Sequence, residues 1–196
     1  ISIHWRGHTR LNKNSNECSF RMFLKFNFTK MLNVVLGCPT DINHFETIDP
    51  SGAAVLCLTS SGMAFVADFK SGRPIHILAS DDASAIAVVR VEGDIRLFVG
   101  CTTGILKAYS YSDKIQQLNW VQLPEQTPIH AICSAHSEGY DPVLWTLLEV
   151  SDGAVCLLSR DCLTLEPLHS INTSIEREKC KLTSAGDRCV LAPENA

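Results

Sequence analysis

Residues 55–77 read VLCLTSSGMAFVADFKSGRPIHI. Two apolar runs flank Ser60-Ser61-Gly62, and a third follows Lys70-Ser71-Gly72. A chain that reverses twice in so short a span is making antiparallel hairpins. Each tight reversal needs a residue that accepts positive φ, and glycine does so without steric cost.

The same form recurs as LFVGCTTGILKAY at residues 97–109 and as LLEVSDGAVCLL at 147–158. Each copy has an apolar run, small polar residues, a glycine and a second apolar run. The glycines of this series, Gly62, Gly104 and Gly153, are 42 and 49 residues apart. A second series of turns carries Gly52, Gly93, Gly139 and Gly186, spaced by 41, 46 and 47 residues. The two series are offset by 10, 11 and 14 residues, the length of one strand plus a turn. Several short strands per unit, repeating at about 40–50 residues, mark the blades of a propeller.

The expected fold class is therefore all-β, a partial β-propeller of four-stranded antiparallel blades. In the first blade the strands fall at 44–49, 53–59, 63–69 and 74–78. In the second they fall at 85–91, 96–101, 105–111 and 117–123, and in the third at 129–135, 143–150, 154–159 and 165–171. A fourth blade opens with 180–183 and 188–191. The blades then span about 42–80, 83–124 and 128–172, with the start of a fourth at 178–196. Val, Ile, Phe, Tyr and Trp populate the strands, and Gly, Pro, Ser and Asp punctuate them. Runs such as Ala85-Ile86-Ala87-Val88-Val89 are continuously apolar, as suits sheets buried on both faces. Thr173-Ser174-Ile175-Glu176 matches a helix capping box and predicts one turn of helix before the fourth blade.

Composition fits this picture. The 196 residues are 45% hydrophobic and 19% charged, as in an ordinary globular chain. No apolar run reaches the roughly 18 residues of a membrane span, and no membrane partner is expected. Residues 1–30 hold six of the 17 Lys and Arg but only one acid, Glu17, whereas the rest holds eleven bases against twenty acids. An acidic body argues against nucleic acid as a partner, because phosphate binding needs a basic face. The leader, residues 1–39, has no signal-peptide core or cleavage site and resembles a mitochondrial transit peptide only loosely. It is expected to be a disordered arm or to lie outside the domain at 40–196, with Met31 a natural start.

The nine cysteines form no C-x-x-C, so zinc-ribbon and thioredoxin chemistry lack their usual spacing. An odd count without a signal peptide suggests a reducing compartment, the cytoplasm or else the nucleus, and mostly buried thiols. Cys57, Cys101 and Cys156 fall in strands and are expected in the core. Cys180 and Cys189 flank the turn at Gly186; two core thiols are expected there, with a disulfide the alternative. His130, Cys133 and His136 look like metal ligands, but on a strand Cys133 points away from the other two. The histidines would lie about 20 Å apart, too far to converge on an ion. No nucleophile elbow, P-loop, zinc-protease or EF-hand pattern occurs. No catalytic residue, metal or cofactor is expected.

Over residues 40–196 the chain resembles the WD40-like β-propeller superfamily. IDPSGAAVL at 48–56 and LTSAGDRCV at 182–190 are similar to that family's first hairpin. The match is one of period and turn placement; the Trp-Asp dipeptide is missing from every blade. The resemblance implies a protein-interaction scaffold within a multiprotein assembly, or a regulatory propeller fragment of a larger signalling, trafficking or enzymatic protein. The ring would close through further sequence, another copy or another subunit. It also implies that one rim gathers the links between blades and the turns between second and third strands. Ser61, Asp81, Asp82, Thr103, Glu125 and Asp152 are the binding candidates on that rim, and their acidity favours a partner with a basic segment. Trp120 and Trp145 could anchor an interface, but in strands both are expected to be packing residues.

Overall fold

The computed structural model describes residues 42–49, 52–69, 71, 73–91, 93–124, 126–136, 141–150, 153–176, 180–185 and 188–193. The leader and the turn glycines Gly139 and Gly186 lie outside them.

The described residues form fourteen strands in four antiparallel sheets, each made of strands consecutive in the chain. The first sheet is β1 (Ile42–Thr47), β2 (Ala54–Thr59), β3 (Ala64–Asp68) and β4 (Pro74–Ala79). The second is β5 (Ala83–Val91), β6 (Asp94–Cys101), β7 (Ile105–Tyr111) and β8 (Ile115–Gln122). The third is β9 (Ile129–Ala135), β10 (Val143–Glu149), β11 (Ala154–Asp161) and β12 (Pro167–Glu176). The hairpin β13 (Cys180–Ala185) and β14 (Arg188–Pro193) makes the fourth. Within each full sheet the strands lie side by side in sequence order, so the sheets are meanders.

Burial shows how the sheets are stacked. β2 is buried at all six positions, whereas β8 has six of its eight residues exposed. The first strands of successive sheets pack together, β1 beside β5, β5 beside β9 and β9 beside β13. First strands therefore gather toward a common centre and fourth strands face outward, which is the radial arrangement of propeller blades. An apolar layer fills each gap. Leu56, Val66 and Leu78 of the first blade meet Ile86, Leu97 and Val99 of the second. Phe98 and Leu106 of the second blade meet Ile129, Leu144 and Leu148 of the third. Leu147 and Val155 of the third meet Leu182 of the terminal hairpin. Each such side chain contributes about 1.5–3 kcal/mol on burial. That exceeds the strand-propensity scale of about 1 kcal/mol, so the stacking rather than the local propensity holds the strands in place.

Polar groups tie the inner strands together. Val88 N–H donates to the Glu46 carboxylate at 2.7 Å, and Arg90 donates to the carbonyls of Thr47 and Ile48, each at 3.1 Å. Ser84 Oγ donates to the Ile129 carbonyl at 2.7 Å, from the second blade to the third.

The structure corrects the helix expected at residues 173–176. β12 continues through Glu176, and the Thr173 hydroxyl donates across the sheet to the Val155 carbonyl at 3.2 Å. A cross-strand acceptor was available, so the hydroxyl serves the sheet rather than a helix terminus. Among the described residues no helix is long and apolar enough to cross a membrane.

Candidate functional site

The rim begins with the β2–β3 turn. Thr59 Oγ1 lies 2.9 Å from Ser61 Oγ and accepts from Met63 N–H at 3.0 Å, while Gly62 N–H donates to the Thr59 carbonyl at 3.2 Å. Gly62 takes φ +80°, and a Cβ there would stand 2.5 Å from the Asp81 carbonyl oxygen. Both the backbone and the space thus demand glycine. The close approach is between the turn and the link that joins the first blade to the second. Ala83 N–H donates to the Gly62 carbonyl at 2.8 Å.

The pattern continues into the second blade. Thr102 N–H donates to the Asp82 carbonyl at 2.8 Å, which joins the same link to the β6–β7 turn. Gly104 repeats the role of Gly62, with φ +78° and a Cβ position 2.9 Å from the backbone of Gln126 and Thr127. Leu123 N–H donates to its carbonyl at 2.9 Å, and Gln122 Nε2 donates to the Thr103 carbonyl at 2.9 Å. Turn, link, turn and link therefore form one hydrogen-bonded surface. Ser61, Asp81 and Thr103 are exposed on it and Asp82 is half-buried. The structure brings these four candidates to one rim. Glu125 and Asp152 lie outside the described residues.

The rim is unevenly charged. Asp82 sits 3.6 Å from Lys107 on β7. Burial alone would lower the Lys107 pKa, but its neighbours Cys101, Asp82 and Tyr109, of which the Asp82 carboxylate is the resident anion, outweigh burial and raise it. Asp81 accepts from the Ser80 hydroxyl at 3.1 Å and makes no ion pair among the described residues. Burial pushes the Cys101 thiol up to about 11, so it is held as a neutral thiol behind the rim. Carboxylates and hydroxyls set on a rigid backbone suit recognition by hydrogen bonds and charge.

The other candidates fall elsewhere. His130 lies 3.3 Å from Glu149, a pairing within the third blade. Among the described residues no three His, Cys, Asp or Glu side chains are grouped to hold a metal. Cys57, Cys101, Cys156 and Cys162 are buried free thiols. Cys189 is disulfide-bonded to Cys133 with a Cα–Cα distance of 6.8 Å. This corrects the expectation of a core thiol at Cys189, and the alternative partner Cys180 stands four positions from it in the hairpin register. The bond joins β14 to β9, a contact between blades that no local spacing announces.

Trp145 packs in the layer between the third blade and the terminal hairpin. Trp120 departs from its expected packing role, because it lies on the outer strand β8 and is 57% exposed. The sequence offered no signal for Lys107, the basic residue of this rim. Lys107 alternates like any strand residue, and only blade stacking puts it beside Asp82.

No family model and no curated protein matches this chain. Among solved structures it is similar to the β-propeller domain of Myceliophteria thermophila Cps50 (Swd1), with 12% identity and a TM-score of 0.50. The match covers 87% of this chain and 49% of that one, so the chain spans about half the length of the domain it resembles. The likeness is one of fold. With the meander sheets and their radial stacking it establishes a β-propeller architecture of four-stranded blades, as the WD40-like resemblance implied.

Proposed function

We propose that this chain is a protein-interaction scaffold that captures a partner through the rim formed by Ser61, Asp81, Asp82 and Thr103. The observation that carries this reading is the continuous hydrogen bonding of turn to link across two blades. It presents exposed polar side chains on a backbone that does not have to be ordered on binding, which lowers the entropy cost of association. The acid excess favours a partner segment that is basic. Glu125 and Asp152 extend the same proposal to the next link and turn of the repeat.

The test is charge reversal at Asp81, Asp82 and Asp152, each to Lys, followed by affinity capture from an extract. Captured proteins should be lost from the variant while its circular dichroism stays that of the parent. Equal capture by variant and parent would overturn the reading.

A second reading, a regulatory propeller segment of a larger signalling, trafficking or enzymatic protein, is favoured by the 49% coverage of the matching domain. The blades that complete a ring would then come from further sequence, with a second copy or another subunit as the alternatives. The full open reading frame and the mass of the native assembly separate these cases.

A further inference from the structure

The first blade meets the second on one face, and its far face is apolar as well. Leu56 and Val66 look into the seam with the second blade, and their neighbours in β2 and β3 point the other way. Phe45, Cys57, Phe65 and Ile77 are successive ladder partners across β1, β2, β3 and β4, so they form one row on the far face. Val55 and Ala67 are partners in the next row. Among the described residues, the apolar cluster here draws every member from the first sheet and its turns.

The centre of this face is nevertheless closed to solvent. Cys57 is 0% exposed and Phe65 1%, whereas Ile77 on the outer strand is 57% exposed. Strands about 4.8 Å apart hold their side chains upright and leave the tops open, so one sheet does not bury its own face. A second layer therefore lies over β2 and β3 and stops short of Ile77. Its footprint is about 10 Å wide, two strand spacings.

The sequence ahead of β1 holds a segment that matches. Residues 20–28 read FRMFLKFNF. Phe20, Met22, Leu24, Phe26 and Phe28 take every second position, and Arg21, Lys25 and Asn27 fall between them with Phe23. A period of two predicts a strand with one apolar face and one largely solvated face. Phe28 and Ile42 are 14 positions apart, a tether of up to about 45 Å, against a blade width of about 15 Å. Charge agrees too. Residues 1–30 hold six bases and one acid, the rest eleven bases and twenty acids, so the segment is drawn to the body.

We propose that residues 20–28 dock on the far face of the first blade as an intrachain cap, with Leu24, Phe26 and Phe28 against Cys57 and Phe65. The chain thereby closes this end of its row of blades itself. Arg21 and Lys25 give the end a polar outer surface, as the terminal units of stacked repeats need. A second copy or a further blade on this face would have to displace the cap. The inference stands apart from the rim reading, because the far face shares none of the rim's residues.

Cys57 reports the cover, because it lies on the docked face while Cys101 lies in the seam on the blade's other side. The full chain is treated with iodoacetamide at pH 8, and labelling is read by peptide mass spectrometry. Both thiols should stay unlabelled in the parent and in Lys25→Ser/Asn27→Ser. In Leu24→Asn/Phe26→Asn/Phe28→Asn, Cys57 should label at least about tenfold faster while Cys101 stays protected. Unchanged protection of Cys57 in the triple variant would overturn the proposal. A second measurement does not depend on that variant's folding. The full chain carrying Phe26→p-benzoylphenylalanine is irradiated and its crosslinked peptides are mapped. Crosslinks should fall within residues 54–68 of the same chain. Their absence there would overturn the cap. So would crosslinks between heavy- and light-isotope copies mixed beforehand, which would assign the face to a second copy. None of these outcomes touches the rim reading, which falls through the capture experiment alone.

Discussion

The carboxylate of Glu46 on β1 accepts a hydrogen bond from the backbone N–H of Val88 on β5, 42 residues away, at 2.7 Å. β5 is the inner edge of its sheet, so its inward N–H groups have no ladder partner. An unpaired edge group that is desolvated must find an acceptor. Glu46 supplies one from the neighbouring blade and registers the two sheets. Glu46→Ala should therefore lower unfolding stability by about 1.5–3 kcal/mol, the range for a bond to a charged group. Glu46→Gln, which keeps a neutral acceptor, should lose less than half of that. Urea titration of the three proteins gives both numbers; equal midpoints would show that the bond contributes nothing.

Two glycines separate backbone strain from crowding. Gly93 takes φ +91° with open space around its Cβ position, whereas Gly62 at φ +80° faces the Asp81 carbonyl oxygen at 2.5 Å. Gly93→Ala should cost about 1 kcal/mol, the conformational term for a residue forced to positive φ. Gly62→Ala should cost at least about 2 kcal/mol more, because the turn and the blade link must move apart. Thermal melts of both variants test this. Equal losses would mean that the rim is softer than its hydrogen bonds suggest.

The Cys133–Cys189 bond closes a separation of 56 residues and fastens a two-stranded sheet, which is marginal on its own, to the third blade. Cys133→Ser or Cys189→Ser should lower stability by about 2–4 kcal/mol. Hydrogen exchange should quicken in β13 and β14 first, while β5–β8 keeps its protection. The free thiols should behave differently. Burial raises Cys57, and it pushes Cys162 up to about 12. In the native protein at pH 8 both should resist iodoacetamide, and both should label in denaturant. Native labelling of either would contradict their burial.

Asp161 provides a pH handle. Burial alone would raise its pKa, but the N–H groups of Thr164 and Leu163, the Thr164 hydroxyl and the nearby Arg96 outweigh burial and hold it below 3.8. A depressed folded pKa stabilises above the unfolded value, and that stabilisation is lost as pH falls through the folded value. Stability should therefore drop as pH is lowered below about 4, and Asp161→Asn should flatten that part of the profile. Its β11–β12 turn also places Leu165 at φ +63°. Denaturant midpoints between pH 5 and pH 2.5 provide the measurement. A parallel decline in both proteins would remove Asp161 from the account.

Much of this molecule is written locally. Strands and reversals follow from runs of apolar residues and from glycines such as Gly62 and Gly104, because positive φ and two-residue periodicity are properties of a few neighbouring residues. The boundaries shift where a fourth strand ends on side-chain partners from another strand, as Thr173 does with Val155. The rim was half legible. Ser61, Asp81, Asp82 and Thr103 could be placed because turns and links recur with the repeat.

The period of the turns, by itself, determined that this chain is a row of small antiparallel sheets. Only the tertiary structure decided which side chains meet across the seams. Lys107 reaches Asp82, Trp120 faces outward, Glu46 holds Val88 and Cys133 finds Cys189 because the blades stack at one angle and register. That register is set by the buried layers between sheets, where contacts join residues of different blades, as Glu46 and Val88 are at 42 positions apart, and no short window of sequence contains both partners.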